Sequence, residues 1–114
     1  AGVGDTIEQM RNKTSDIKRP GATMVVDEQG KLTGIITDAD LRRLMAEQGR
    51  DVLKEKVRNV MTPDCKRIRS DALASEATGL FHKYRIDELP VVDAEDRPVG
   101  LIDVQDVLTI KVVG

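Results

Sequence analysis

Residues 24–45 read MVVDEQGKLTGIITDADLRRLM and residues 90–111 read PVVDAEDRPVGLIDVQDVLTIK. Sliding the chain by 66 residues lays the first stretch on the second without a gap. Val25, Val26 and Asp27 meet Val91, Val92 and Asp93, while Gly34 meets Gly100, Ile36 meets Ile102 and Asp40 meets Asp106. Six identities therefore fall in the 16 positions from Val25 to Asp40. Chance matching of apolar residues does not also align two aspartates and a glycine. The same offset sets Asp5 on Asp71 and Ile7 on Leu73. The chain is a duplication, and its fold is read one copy at a time.

Each copy predicts the same elements. A helix follows Asp5 or Asp71; Thr6-x-x-Gln9 has capping-box spacing, and Ser70 or Asp71 is placed to cap the second helix. Leu73, Ala77, Leu80, Phe81 and Tyr84 recur at helical spacing and predict one buried stripe. Short apolar strands follow at Thr23–Val26 and Leu89–Val92. Turns at residues 27–30 and 93–96 lead to second strands, Leu32–Ile36 and Val99–Ile102, so each copy contains a hairpin. A second helix opens near Asp38 or Val104, with Leu41, Leu44 and Met45 on one face. Residues 1–48 are read as the first repeat and 62–114 as the second. Residues 49–61 between them form a polar linker with a short helix, ended by Thr62-Pro63. Cys65–Ile68 predicts a strand opening the second copy. Its counterpart at the 66-residue offset falls ahead of Gly2, so the first copy is expected to lack its opening strand and the chain to be a piece of a longer protein.

Composition narrows the function. The 114 residues carry 18 Lys and Arg against 20 Asp and Glu, a net charge of −2. That balance and just two aromatics, Phe81 and Tyr84, give neither the basic surface nor the stacking platform of a nucleic-acid binder. A single cysteine, Cys65, and a single histidine, His82, exclude a disulfide and the Cys- and His-rich metal sites. A Ser/His/Asp arrangement would have to use His82, on a helix with no strained serine turn near it. No apolar run approaches the roughly 18 residues of a membrane span. No signal peptide opens the chain, and a cytoplasmic module without catalytic machinery or cofactor is expected.

The two quoted stretches, together with VMTP at residues 60–63 and ELPVVD at 88–93, resemble a tandem pair of CBS (cystathionine-β-synthase) domains over almost the whole chain. The resemblance implies an α+β fold of two βαββα repeats packed about a pseudo-twofold axis, here without the first strand of repeat 1. It also implies a homodimer, to which Leu41, Leu44, Met45, Leu73 and Leu80 would contribute surface. Thr37-Asp38-Ala39-Asp40-Leu41-Arg42-Arg43 is in addition similar to the C-terminal CBS pair of D-arabinose-5-phosphate isomerases. Such enzymes carry an N-terminal sugar isomerase domain and feed 3-deoxy-D-manno-octulosonate (Kdo) and lipopolysaccharide synthesis. The ligand implied is an adenine nucleotide or a sugar nucleotide resembling CMP-Kdo.

Thr37-x-x-Asp40 lies where a strand gives way to a helix, an end that attracts anions. The threonine hydroxyl can bond a phosphate oxygen, and the carboxylate can accept from a ribose diol, as acidic residues do in dinucleotide sites. The same spacing is also that of a plain capping box, and the two roles are compatible. In the second copy Asp103 replaces the threonine, which improves the cap, repels phosphate and leaves Asp106 for a ribose. Lys66, with Arg67 and Arg69, is either a solvated charged edge or a counter-charge to Asp103. Glu88-Leu89-Pro90 starts a strand, where proline is tolerated, whose backbone lines the second pocket. Cys65 is read as packing, His82 as a surface residue, and Arg42 and Arg43 as solvent-exposed. The first pocket, with Thr37 and Asp40, is expected to be incomplete because its own copy lacks a strand.

Overall fold

The computed structural model describes residues 1–12, 18–19 and 21–106, with side chains for residues 1–10 and 21–106. Its elements run α1 (Ile7–Asn12), β1 (Lys18–Arg19), β2 (Ala22–Val26), β3 (Leu32–Thr37), α2 (Asp38–Gln48), a 3-10 helix (Gly49–Lys54), α3 (Val57–Val60), β4 (Thr62–Pro63), β5 (Ile68–Arg69), α4 (Ala74–Tyr84), β6 (Glu88–Val92) and β7 (Pro98–Asp103). Residues 104–106 are helical.

The duplication holds down to single hydrogen bonds. Strands β2 and β3 pair antiparallel with Thr23 on Ile36 and Val25 on Gly34, and β6 and β7 repeat this with Leu89 on Ile102 and Val91 on Gly100. Both hairpins slip register at the same place, after Val25 and after Val91. Each turn is organised by one aspartate: Asp27 Oδ1 accepts from the amides of Gln29 and Lys31, and Asp93 Oδ1 from those of Glu95 and Arg97. Such a side chain mimics the backbone of a turn, which is why both copies keep it. The left-handed position that closes the turn is Gly30 in one copy and Asp96 in the other, at φ 79° and 65°.

Burial on both faces explains why the strands read as continuous apolar runs. One face of β2 and β3 buries Ala22, Met24, Leu32 and Ile35 against Cys65, Val92 and Leu101 of the second copy. The opposite face buries Val25 and Ile36 with Ile7, Met10 and Val57. In the second copy Ile68 and Leu89 pack on Ala77 and Phe81 of α4. Two strand-and-helix layers thus meet through their sheets, as the family resemblance implies.

Three local expectations need correction. Helix α4 starts at Ala74 with Leu73 as its uncapped N-terminal residue, because Ser70–Ala72 are held in a turn by Ser70 N–H to Val92 O and Ala72 N–H to Arg69 O. Asp71 pairs with Arg69 instead of capping. Leu73, at 68% exposure, therefore leaves the stripe, and Tyr84 is also exposed. In α1, by contrast, the Thr6–Gln9 box closes as expected, with Thr6 N–H to Gln9 Oε1 and Gln9 N–H to Thr6 Oγ1. The strand expected at Cys65–Ile68 is confined to Ile68–Arg69, parallel to β6, and Cys65 turns into the shared core.

The segment expected as a polar linker is a wall of the first copy. Val52 and Val57 are fully buried, and Ile7 N–H to Glu55 O and Val57 N–H to Asp5 O tie it to α1. No strand element precedes α1, yet Gly2 keeps a parallel bridge to Val26, the place that β5 takes beside β6.

Strand β4 then pairs with β3, Gly34 facing Pro63 and Ile35 facing Thr62. A Cβ on Gly34 would stand 2.5 Å from Met61 Sδ and 2.7 Å from Thr62 O, whereas one on Gly100 would meet nothing closer than Val91 Cβ at 3.9 Å. Gly34→Ala should therefore destabilise the protein by about 1–3 kcal/mol through overpacking. Gly100→Ala, the same change in the other copy, should alter stability far less. Urea denaturation of the pair checks this, and equal losses would show that the close approach of β4 is not the cause.

Candidate functional site

The strand-to-helix junction of the first copy is a closed capping box. Thr37 Oγ1 accepts from Asp40 N–H at 3.1 Å, and Asp40 Oδ2 accepts from Thr37 N–H at 3.3 Å. Asp40 Oδ1 takes Arg43 at 3.2 Å. Asp38 turns the other way and accepts from Gly21 N–H at 3.1 Å, while its own amide donates to Gly21 O at 2.8 Å. The hydroxyl proton of Thr37 is not used by the cap and is left to donate.

In front of this junction lies a cleft of about 830 Å³. It is a composite of both copies. Gly21, Ile35 and residues 37–40 line one side, and Thr62–Lys66, Tyr84 and Ile86–Glu88 line the other, with Pro90 at its base. Thr37, Asp40, Lys66 and Pro90 are thus brought together. This corrects the expectation that the Thr37 pocket is incomplete: the strand-side wall comes from the opening segment of the second copy, not of the first. Pro90, assigned to the second pocket, lines this one. Lys66 likewise does not face Asp103; it stands over the Tyr84 ring, 4.4 Å from its centroid, at the edge of the Thr37 cleft. Period-two alternation placed Lys66 on one strand face, but Cys65–Arg67 form no strand, so alternation does not apply.

Asp103 and Asp106 sit outside this cleft at the equivalent junction of the second copy. Asp106 Oδ2 accepts from Asp103 N–H at 2.9 Å, and Asp103 Oδ1 accepts from Gln105 N–H at 2.8 Å. Arg67 is no solvated edge: it donates to Cys65 O, to Leu32 O at 2.9 Å and to Asp96 at 2.8 Å. Cys65 is buried, and burial pushes its thiol pKa up, so it remains a neutral packing group. His82 is exposed in the last turn of α4. Among the described residues no His, Cys, Asp and Glu cluster could hold a metal ion, and no helix is long and apolar enough to cross a membrane.

The CBS domain family model matches residues 1–47 and 57–112, one match per copy. The chain belongs to the CBS domain family. Arabinose 5-phosphate isomerase KdsD of Pseudomonas aeruginosa is 47% identical to this CBS pair over 88 residues, 77% of the chain and 27% of that enzyme. Inosine-5'-monophosphate dehydrogenase of Methanocaldococcus jannaschii is 39% identical over 74% of the chain and 16% of that enzyme. The chain therefore spans 27% and 16% of the length of these two curated relatives. Among solved structures, the cytosolic domain of the Mg2+ channel MgtE in complex with ATP superposes with a TM-score of 0.77 and 31% identity, over 96% of this chain and 43% of that one.

Sequence reasoning missed Tyr84 and Asp87 as cleft residues and gave Glu88 only as backbone of the second pocket, whereas it lines this one. The signal was available at the repeat offset, where Glu88 stands opposite Ala22 and Asp87 opposite Gly21: two acids at positions the other copy keeps small. Glu88 is half-buried, and its pKa is raised, first by burial and then by the carboxylates of Asp87, Asp103, Asp38 and Asp40. The folded protein thus holds the Glu88 proton more tightly than the unfolded chain does. Ionised Glu88 opposes folding above its raised pKa, and the opposition disappears below the ordinary glutamate range. Glu88→Gln should raise the melting temperature at pH 7, with a gain that shrinks as the pH falls through the carboxylate range. Melting curves from pH 7 to pH 4 test this; a gain that grows toward acid would contradict the assignment.

Proposed function

We propose that this CBS pair is the regulatory, ligand-sensing module of a cytoplasmic sugar-phosphate isomerase acting on D-arabinose 5-phosphate in Kdo and lipopolysaccharide synthesis. The module itself carries no catalytic residues, and the sugar isomerase domain is expected N-terminal to it. The observation that carries the sensing role is the composite cleft, whose walls come from both copies. A ligand held there contacts Thr37 and Asp40 on one side and Lys66 and Pro90 on the other, so its binding free energy depends on how the copies are docked. At about 830 Å³ the cleft has the volume of a small-molecule site.

The ligand class is a nucleotide or sugar nucleotide, adenine- or cytidine-based. Asp40 accepts from the ribose hydroxyls, the free Thr37 proton and the Lys66 ammonium meet a phosphate, and Ile35, Ile86 and Pro90 pack against the base. The identity to the KdsD enzyme supports the isomerase context, and the MgtE domain in complex with ATP supports a nucleotide. The second reading is a dimerisation module without a ligand, favoured by the exposure of Leu73, Val99 and Met45. The two are compatible, since those side chains lie outside the cleft.

A saturating nucleotide should raise the melting temperature, because a ligand at 100 times its dissociation constant adds about 2.7 kcal/mol. Asp40→Ala should remove that increase while Asp106→Ala retains it. A panel of adenine, cytidine and sugar nucleotides that leaves the wild-type melting curve unmoved would reject the sensing role. Sedimentation at micromolar concentration is expected to give a homodimer; a pure monomer would reject the dimerisation role.

A further inference from the structure

The charge of the cleft is opposite to what a polyphosphate needs. Asp38, Asp40, Asp64, Asp87 and Glu88 line it against two lining cations, Arg42 and Lys66; with the Arg43 and Arg67 partners of Asp40 and Asp64 counted, one negative charge is in surplus. Asp40 is paired with Arg43 and Asp64 with Arg67. Among the described residues Asp38, Asp87 and Glu88 have no cation within ion-pair distance.

Glu88 is placed to act on whatever approaches the start of α2. A Cβ on Gly21 would stand 3.0 Å from Glu88 Oε1, so the carboxylate lies directly against Gly21. Gly21 is in turn the residue whose N–H and C=O hold Asp38 at the first turn of α2. The helix end that would otherwise draw anions is therefore already occupied by carboxylates: Asp38 on Gly21 and Asp40 in the capping box, with Glu88 facing them from the second copy. Lys66 lies on the other side of the cleft, over Tyr84. It and Thr37 line the same cleft.

We propose that the cleft selects by phosphate count, taking nucleosides and ligands with a single phosphate and rejecting di- and triphosphates, with Glu88 as the residue that sets this limit. The inference rests on the nucleotide reading above and narrows it. A ribose supplies hydroxyl donors to the carboxylates, and one phosphate is matched by Lys66 and Thr37. Every further phosphate adds negative charge that Arg42 alone is left to balance against the unpaired carboxylates of Asp38, Asp87 and Glu88, in a partly desolvated site where like charges repel more strongly than in water. The rejection is electrostatic, so salt weakens it. The second cleft position cannot reproduce it, since the counterpart of Glu88 there is Ala22.

The test is calorimetric titration of the protein with adenosine, AMP, ADP and ATP, and with the cytidine series, in EDTA at neutral pH, at low and at high salt. AMP is expected to bind at least about tenfold more tightly than ATP at low salt, the affinity falling with each added phosphate. High salt should narrow that ratio, a readout in the wild type that needs no variant. Glu88→Gln should narrow it as well, by about threefold or more at low salt, since one of the three unpaired carboxylates is gone. ATP binding as tightly as AMP at low salt would overturn the selection, as would a ratio indifferent to both salt and Glu88→Gln. Failure of every nucleoside and nucleotide to bind would instead overturn the nucleotide reading, and this inference with it.

Discussion

The contact on which everything else depends is the one between the two sheets. Ala22, Met24, Leu32 and Ile35 of the first copy close over Cys65, Val92 and Leu101 of the second. Neither hairpin could bury both of its faces alone, because each has helices on one side only. Arg67 fixes how the sheets are docked. Its guanidinium donates across the boundary to Leu32 O and, within its own copy, to Asp96 and Cys65 O, while Leu32 N–H donates across the boundary to Asp96 O. Loss of that fork would leave two carbonyls and a carboxylate short of a partner in a half-buried place. The cleft follows from the docking: its walls belong to different copies, and its width is the distance at which the shared core holds them.

On the nucleotide reading proposed above, one set of atoms in the capping box serves stability and recognition together. Thr37 and Asp40 satisfy each other's amides, which fixes both side chains in the rotamers they need to face the cleft. An uncapped threonine and aspartate would lose rotamer freedom on meeting a ligand; here that loss is already met by folding. What the box leaves over is specific: a hydroxyl proton on Thr37, and carboxylate lone pairs on Asp40 beyond those used by Thr37 N–H and Arg43. Those leftovers set the polarity of any partner, a donor opposite Asp40 and an acceptor opposite Thr37.

Most of the fold was legible because it is written locally and twice. The hairpins follow from short apolar runs flanking an Asp-led turn, and the start of α2 follows from Thr37 and Asp40 three residues apart. Where the local signal was ambiguous, tertiary structure decided. Ser70 and Asp71 look like caps, but Ser70 N–H is claimed by Val92 O of the neighbouring strand, which delays α4 to Ala74 and turns Leu73 outward. The residues between the repeats look polar in composition, yet two valines of that stretch complete the core of the first copy. The candidate site was half legible for the same reason. Thr37 and Asp40 announce themselves by spacing, but which copy supplies the facing wall is a property of docking. No period within either repeat records it, and Lys66 and Pro90 were therefore set against the wrong partner.

The two copies have diverged least where they build the hairpins and most where they face the cleft. Val25 and Val91, Asp27 and Asp93, Gly34 and Gly100 are unchanged, whereas Gly21, Ala22 and Thr37 of the first copy stand against Asp87, Glu88 and Asp103 of the second. All three replacements are acidic. Glu88 and Asp103 are moreover register partners on adjacent strands, a like-charge pair that weakens a sheet. Burial and the nearby carboxylates both disfavour the ionised form of Glu88, so the second copy carries a local instability that the first lacks. Sequences whose local choices conflict with their fold commonly do so where function demands it. Here the conflict is confined to the strand ends of one copy, at and beside the wall that closes the cleft over Thr37 and Asp40. The duplication thus supplies the frame, and the departure from symmetry supplies the chemistry.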